Sequence, residues 1–409
     1  MEQLKVKELR KRAFSLINRL IETYGPRLTG SDACKNVAHE LTKEFAQVCD
    51  SSHSEVFSVH PDAFLGWIKI LVVIYPIALV LLWLSMAPVA LVLMLFSVAL
   101  LILEFIFYKE IIDPLFPKKE GVNVYGVLDP VKEVKSTVIV SGHHDSAKIF
   151  NFFVDKPHLY SQRIYIGLGS VFALTAVSII QSIFVPFSLG SVVSWPFMIV
   201  LVPLTLTLPW IVKLWSFASK EGTPGAGDNL IASAIAVEVA RYFSDSKELQ
   251  HTRIIAASYD SEESGLRGAR AFFKRHKHNE SLLMGKVYNF NIDCPYEAKE
   301  IFFLTSDING SVKLSESMAQ RCTRIAHTLG YDAVSKPIAM LTGGTDAAEA
   351  AKVGIEATTL MAMPWDNSSR SSVYHTPQDT PDAIEPEAVE ISLEIAIHVI
   401  KEIDQLSVE

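Results

Sequence analysis

The chain has 409 residues, 45 of them acidic and 37 basic, and a formal net charge of −8. That balance excludes the basic footprint that nucleic-acid binding requires, and the length allows two or three domains with large cores. The mean hydropathy of +0.27 is typical of chains that carry membrane segments. Four cysteines, Cys34, Cys49, Cys294 and Cys322, show no paired spacing, so neither a disulfide framework nor a Cys-x-x-Cys zinc site is indicated.

The first twelve residues are charged and no apolar run follows them, so they do not read as a cleavable secretory signal. Leu4, Leu9, Phe14, Leu16, Ile17, Leu20 and Ile21 recur at helical spacing over residues 3–24. Gly25-Pro-Arg-Leu-Thr-Gly-Ser31 breaks that helix, and Ser31 or Asp32 is placed to cap a second one reaching about residue 48. Residues 54–60 alternate as a strand. From Ile70 to Leu103 there are 34 residues without a charge, interrupted by Ser85-Met-Ala-Pro88. A membrane-crossing helix needs roughly 20 apolar residues, so this run predicts two spans and a short turn. Trp67, Lys69, Tyr108 and Lys109 flank it as interfacial types, and Glu104 is expected near the interface.

Residues 121–128 and 137–141 predict two strands, read as a hairpin across the polar turn 129–135. A second uncharged run, Ile164 to Val212, is 49 residues long. Pro186, Gly190, Ser194 and Pro196 divide it into two more spans. Beyond Lys213, strands at 252–259, 287–292, 301–305 and 357–361 alternate with helices at 229–243, after Gly268, at 312–329 and at 386–406. This alternation predicts an α/β domain with a mixed, mostly parallel central sheet flanked by helices. The expected catalytic domain comprises 1–65, 109–163 and 213–409. Two inserted transmembrane hairpins, 66–108 and 164–212, supply four spans.

Metal-binding residue types gather at strand ends and following loops of the soluble part. They are His143 with Asp145, Asp228, Glu262-Glu263, Asp293 and, in the loop 372–379, His375. In open α/β sheets, residues distant in sequence converge at the carboxyl ends of strands. A donor set of N and O atoms without thiolate suits zinc or a similar divalent ion. Five ligands serve two metals if one carboxylate bridges, and the spare carboxylate of the Glu-Glu pair is then free to act as a general base.

The chain resembles the co-catalytic zinc exopeptidases related to secreted bacterial aminopeptidases, glutamate carboxypeptidase and glutaminyl cyclase. The matching phrases are Gly25-Pro-Arg-Leu-Thr-Gly-Ser31, Ser141-Gly-His-His-Asp-Ser146, Pro224-Gly-Ala-Gly-Asp-Asn229, Tyr259-Asp-Ser-Glu-Glu-Ser-Gly-Leu266, Asn291-Ile-Asp293 and Tyr374-His-Thr-Pro-Gln-Asp-Thr380, in the family's order. The resemblance implies that Asp228 bridges two zinc ions. His143 and Asp293 would complete one ion's set, and Glu263 and His375 the other's. It also implies Glu262 as the general base and Asp145 as the partner of His143. Asp346, in Thr342-Gly-Gly-Thr-Asp346, falls where the family has a pocket loop.

The apolar hairpins depart from the family pattern, and the ligands persist on either side of them. The expectation is a membrane-embedded exopeptidase, most simply an aminopeptidase acting on peptides at the bilayer, with its site facing the membrane. Lys69, Lys109, Lys118, Lys119, Lys156, Arg163, Lys213 and Lys220 flank the soluble side, which by the positive-inside rule makes the catalytic domain cytoplasmic. Competing readings are a glutaminyl-cyclase-like aminoacyltransferase, which the resemblance ties to a single zinc, and a non-catalytic receptor-like module. Oligomeric state is not legible.

Overall fold

The computed structural model describes residues 2–185, 193–364 and 373–407. The chain divides into two compact units, one built from 1–61, 118–149 and 220–409, the other from 62–117 and 150–219.

The first unit is organised by an eight-stranded sheet whose strands are β1 (Ser51–Val59), β2 (Lys119–Leu128), β3 (Ser136–His143), β4 (Thr252–Tyr259), β5 (Lys286–Pro295), β6 (Ile301–Leu304), β7 (Val334–Lys336) and β8 (Glu356–Ala362). Their order is β1-β2-β4-β3-β5-β8-β6-β7. The centre, β4-β3-β5-β8, is parallel, while β2 runs antiparallel to β1 and β4, and β8 antiparallel to β6. Every residue of β3 and β4 is buried, as expected of strands covered on both faces. The helices Glu2–Tyr24, Asp32–Val48, Ile231–Ser246 and Pro386–Leu406 pack together on one side. On the other, Phe272 of the helix Arg267–His276 meets Tyr125 of β2 edge-on. Ser31 caps its helix as the sequence suggests, its hydroxyl accepting from Cys34 N at 3.2 Å.

One expectation fails. Residues 119–128 and 136–143 are not a hairpin, because β4 lies between them. The connector is drawn over the start of β4, where Val131 N and Lys132 N donate to Leu249 O and Gln250 O at 3.0 Å. A strand apolar on both faces belongs at the sheet centre, which an edge hairpin with β2 would deny to β3.

The second unit holds, among the described residues, four helices long and apolar enough to cross a membrane: Gly66–Trp83, Ala87–Ile106, Pro157–Phe184 and Trp195–Ser216. Of the expected turn in the second apolar run, residues 186–192, with Pro186 and Gly190, lie outside the described residues. The unit's interior is a cluster of large apolar side chains such as Leu71, Tyr75, Leu82, Met94 and Leu174, with Ala78, Ala90 and Ser178 buried among the helices. Large apolar side chains also face outward, with Val92 67%, Ile183 70% and Ile199 63% exposed. Glu104 is buried, and its Oε1 accepts from Ile111 N and Ile112 N at 2.7 and 2.9 Å. Asp155 holds Arg163 and Lys213 at 3.2 and 3.1 Å, joining the start of the third apolar helix to the end of the fourth.

Candidate metal centre

The site is assembled beyond the carboxyl ends of β3, β4 and β5. Register fixes the first part: His143 pairs with Tyr259, and Ser141 with Asn291, so His143, the loop after Tyr259 and Asp293 arrive side by side. Gly142 faces Ala232 of the helix Ile231–Ser246, which puts His143 on the opposite face. β3 stops at His143, so strand alternation does not carry Asp145 to it. A turn does so, with Asp145 Oδ1 3.3 Å from His143 Nδ1.

Asp145 is also the keystone of the Glu-Glu turn. Its Oδ1 accepts from Glu262 N at 3.1 Å, and its Oδ2 from Glu263 N at 3.2 Å and Thr29 Oγ1 at 2.9 Å. A carboxylate buried completely and holding three donors plus an imidazole orients both sides of the site at once.

Asp228 sits in the Gly-rich loop. Gly225 takes a positive φ of 62°, where glycine is strongly favoured, and Gly227 lies flat against the Tyr296 ring, leaving no room for a Cβ. Asp379 ties this loop to the one carrying His375, accepting from Gly227 N at 2.8 Å and Asp228 N at 3.3 Å. His375 has Tyr374 stacked against it at 3.9 Å. Its Nε2 lies 3.0 Å from Asp228 Oδ2 and 3.5 Å from Glu263 Oε2. On the other side of Asp228, Oδ1 is 3.3 Å from His143 Nε2, which is 3.7 Å from Glu262 Oε2.

Ligand-type atoms therefore meet in two triads that share one residue, His143–Asp228–Asp293 and Asp228–Glu263–His375. His143, Glu262 and Glu263 form a third grouping across them. All seven residues expected from the sequence lie in this one neighbourhood. Five carboxylates crowd two imidazoles, and the protein does not neutralise them. Burial, then repulsion from neighbouring carboxylates, pushes Glu262 and Glu263 well above the ordinary range and Asp293 up to about 7. Asp228 goes the other way: burial raises it, but His143 and His375 together outweigh that and lower it. His143 Nε2 and Glu263 Oε1 are buried with no hydrogen-bond partner. Unpaired buried N and O donors and surplus negative charge are what a divalent cation corrects, so the residues fit zinc.

A further buried grouping, Cys34–His144–Asp260, lies close by. Burial and the charge of Asp260 push the Cys34 thiol well up, which keeps it protonated and a poor ligand.

Sequence reasoning left Arg27, Thr29 and Asp379 without roles, although the phrases containing them were visible. Arg27 is fully buried and its guanidinium donates to His144 O, Gly25 O, Pro224 O and Gly225 O. It thereby bolts the β3 loop to the Gly-rich loop. Replacing it by Ala strands several buried carbonyls at a cost of about 1–3 kcal/mol each. R27A is expected to lower Tm and to bind metal at least tenfold more weakly, as measured by thermal unfolding and competitive metal titration.

Residues 215–400 match the family model described as Peptidase family M28. No curated protein sequence matches the chain. Among solved structures, a zinc aminopeptidase from Bacillus subtilis is 15% identical with a TM-score of 0.56, covering 96% of this chain and 94% of that one. A glutaminyl cyclase from Fimbriiglobus ruber is 12% identical with a TM-score of 0.56, covering 96% and 94%. A Zn-dependent exopeptidase from Parabacteroides distasonis is 14% identical with a TM-score of 0.54, covering 96% and 97%. At such identities the likeness establishes the zinc exopeptidase-like fold. The segment that matches the M28 family model is the one that carries Asp228, Glu262, Glu263, Asp293 and His375.

Proposed function

We propose that the protein is a membrane-embedded, two-zinc exopeptidase that removes amino-terminal residues from peptides presented at the bilayer, with Glu262 as general base. The observation that carries this reading is the pair of ligand triads sharing Asp228, with a second glutamate beside them. Asp228 would bridge the two ions, His143 and Asp293 would complete one set, and Glu263 and His375 the other.

Bound zinc lowers the pKa of water and polarises a carbonyl. The protein's own groups do the rest. Glu262 takes a proton from the attacking water on its carboxylate as the water oxygen adds to the scissile carbonyl carbon. It returns that proton to the departing nitrogen as the C–N bond breaks, giving a free amino acid and a shortened peptide. Asp145 fixes the ring of His143 through Nδ1, which leaves Nε2 for the metal. The Glu262 side chain is 11% exposed, so water reaches it without flooding the site.

Membrane embedding is supported by the four apolar helices, and the cytoplasmic side for the catalytic unit by the cations that flank them. The two apolar insertions interrupt the catalytic unit between Val59 and Lys119, which pair at the ends of β1 and β2, and between Asp145 and Asp228. A peptide near the bilayer is the proposed substrate. The protein should resist extraction from membranes by alkaline carbonate and be released only by detergent; release by carbonate alone would remove the membrane part of the proposal.

The test of activity is turnover of free-amine peptides by the detergent-solubilised, zinc-loaded chain, with ions counted per chain. Two ions and stepwise release of amino-terminal residues are expected. A single ion together with cyclisation of amino-terminal glutamine would instead favour the aminoacyltransferase reading, and neither activity would favour a binding module.

A further inference from the structure

One buried carboxylate beside the site takes no part in it so far. Asp346 is 1% exposed, and both of its side-chain oxygens are buried without a hydrogen-bond partner. It belongs to none of the groupings able to hold a metal among the described residues. The nearby cations are engaged elsewhere, since Arg270 and Lys352 both pair with Glu349, at 2.9 and 2.7 Å.

Its position is set firmly. The preceding Thr345 donates through N and Oγ1 to Asp307 at 2.8 and 2.6 Å, and its hydroxyl lies 2.6 Å from Thr359 Oγ1. Thr359 pairs with Asn291 of β5, two residues before Asp293. Asp346 is thereby held at the end of the strand that delivers Asp293, within electrostatic reach of His143, Asp293 and Glu262.

A buried carboxylate with no donor is costly, and such groups are kept where a ligand supplies the missing donors. The ligand must be cationic, rich in N–H, and close to the scissile carbonyl that Glu262 serves. The free α-ammonium of a peptide meets all three conditions: it carries three donors and shares its Cα with the first carbonyl, two bonds from the carbonyl carbon. We infer that Asp346 is the anchor for the substrate's amino-terminal ammonium group and so makes this exopeptidase select free amino termini. The inference rests on the hydrolase reading above and adds to it the group that sets which chain end is taken.

The test compares zinc-loaded wild type and D346N, as full chains in detergent, on an aminoacyl anilide and its N-acetyl derivative. D346N should lose about 30-fold in kcat/KM on the free amine, mainly through KM, as expected for a hydrogen-bonded charged contact. It should keep the wild-type ion count and Tm. A second reading is independent of turnover: calorimetric binding of leucinamide against its desamino analogue, 4-methylpentanamide. Wild type should prefer the amine about 30-fold, and D346N should bind the two within threefold of each other. If neither anilide turns over but the amine preference is present and lost in D346N, the anchor stands while the hydrolase reading falls. An unchanged KM and amine preference in D346N would overturn the inference. So would the loss of an ion from D346N, which would make Asp346 a ligand.

Discussion

Replacing Glu262 by Gln should lower kcat on a free-amine peptide by at least 10²-fold while two ions stay bound. The amide has nearly the shape of the carboxylate, so the 262–264 turn, held through its backbone amides by Asp145, has no reason to change. What it lacks is a site for the proton. General-base loss of this kind ordinarily costs about 10²–10⁴-fold, and 10²-fold corresponds to about 2.7 kcal/mol of transition-state stabilisation. Because the group acts after binding, KM should move little. Steady-state kinetics together with metal analysis check this. Full activity in E262Q would assign the base elsewhere, and the carboxylate left to consider is Glu263, which groups with Asp228 and His375.

The second large effect concerns the metals. A strong chelator should abolish turnover and lower Tm, and added zinc should restore both. Without cations, the largely enclosed carboxylates Glu262, Glu263 and Asp293 would carry charge that their surroundings oppose, and they take up protons instead. A cation that binds only the folded state stabilises it by about 4 kcal/mol when present at a thousand times its Kd. The shared position of Asp228 makes the variants unequal. D228A should fall below one ion per chain, since both triads lose a member, whereas H375A and D293A should each retain one. Equal losses in all three variants would mean that Asp228 does not bridge. The two experiments separate cleanly: E262Q keeps its metals and loses chemistry, and D228A loses chemistry because it loses metals.

Much of this could be read without coordinates. A strand apolar on both faces that runs into His143, a Glu-Glu pair after another such strand, and Asp293 closing a third announce a site at the carboxyl ends of parallel strands, because that is where such a sheet delivers side chains. The four apolar helices were equally plain, since runs of roughly 20 residues without a charge stand out from the rest of the chain. Less visible were the groups that hold these side chains in place. Nothing in a string of letters says that Arg27 reaches four carbonyls from three separate loops, or that Asp379 takes the amides of Gly227 and Asp228.

The amino-acid sequence by itself determined the fold class, the long apolar helices and the residue types gathered at the site, since these follow from periodicity, apolar run length and local chemistry. Only the tertiary structure decided that β4 separates β2 from β3, that Asp145 reaches His143 by a turn rather than along a strand, and that Asp346 is buried with no donor. The physical reason is that pairing partners and unmet hydrogen bonds depend on contacts between segments far apart in the chain. Those contacts exist only once the whole sheet has closed around them.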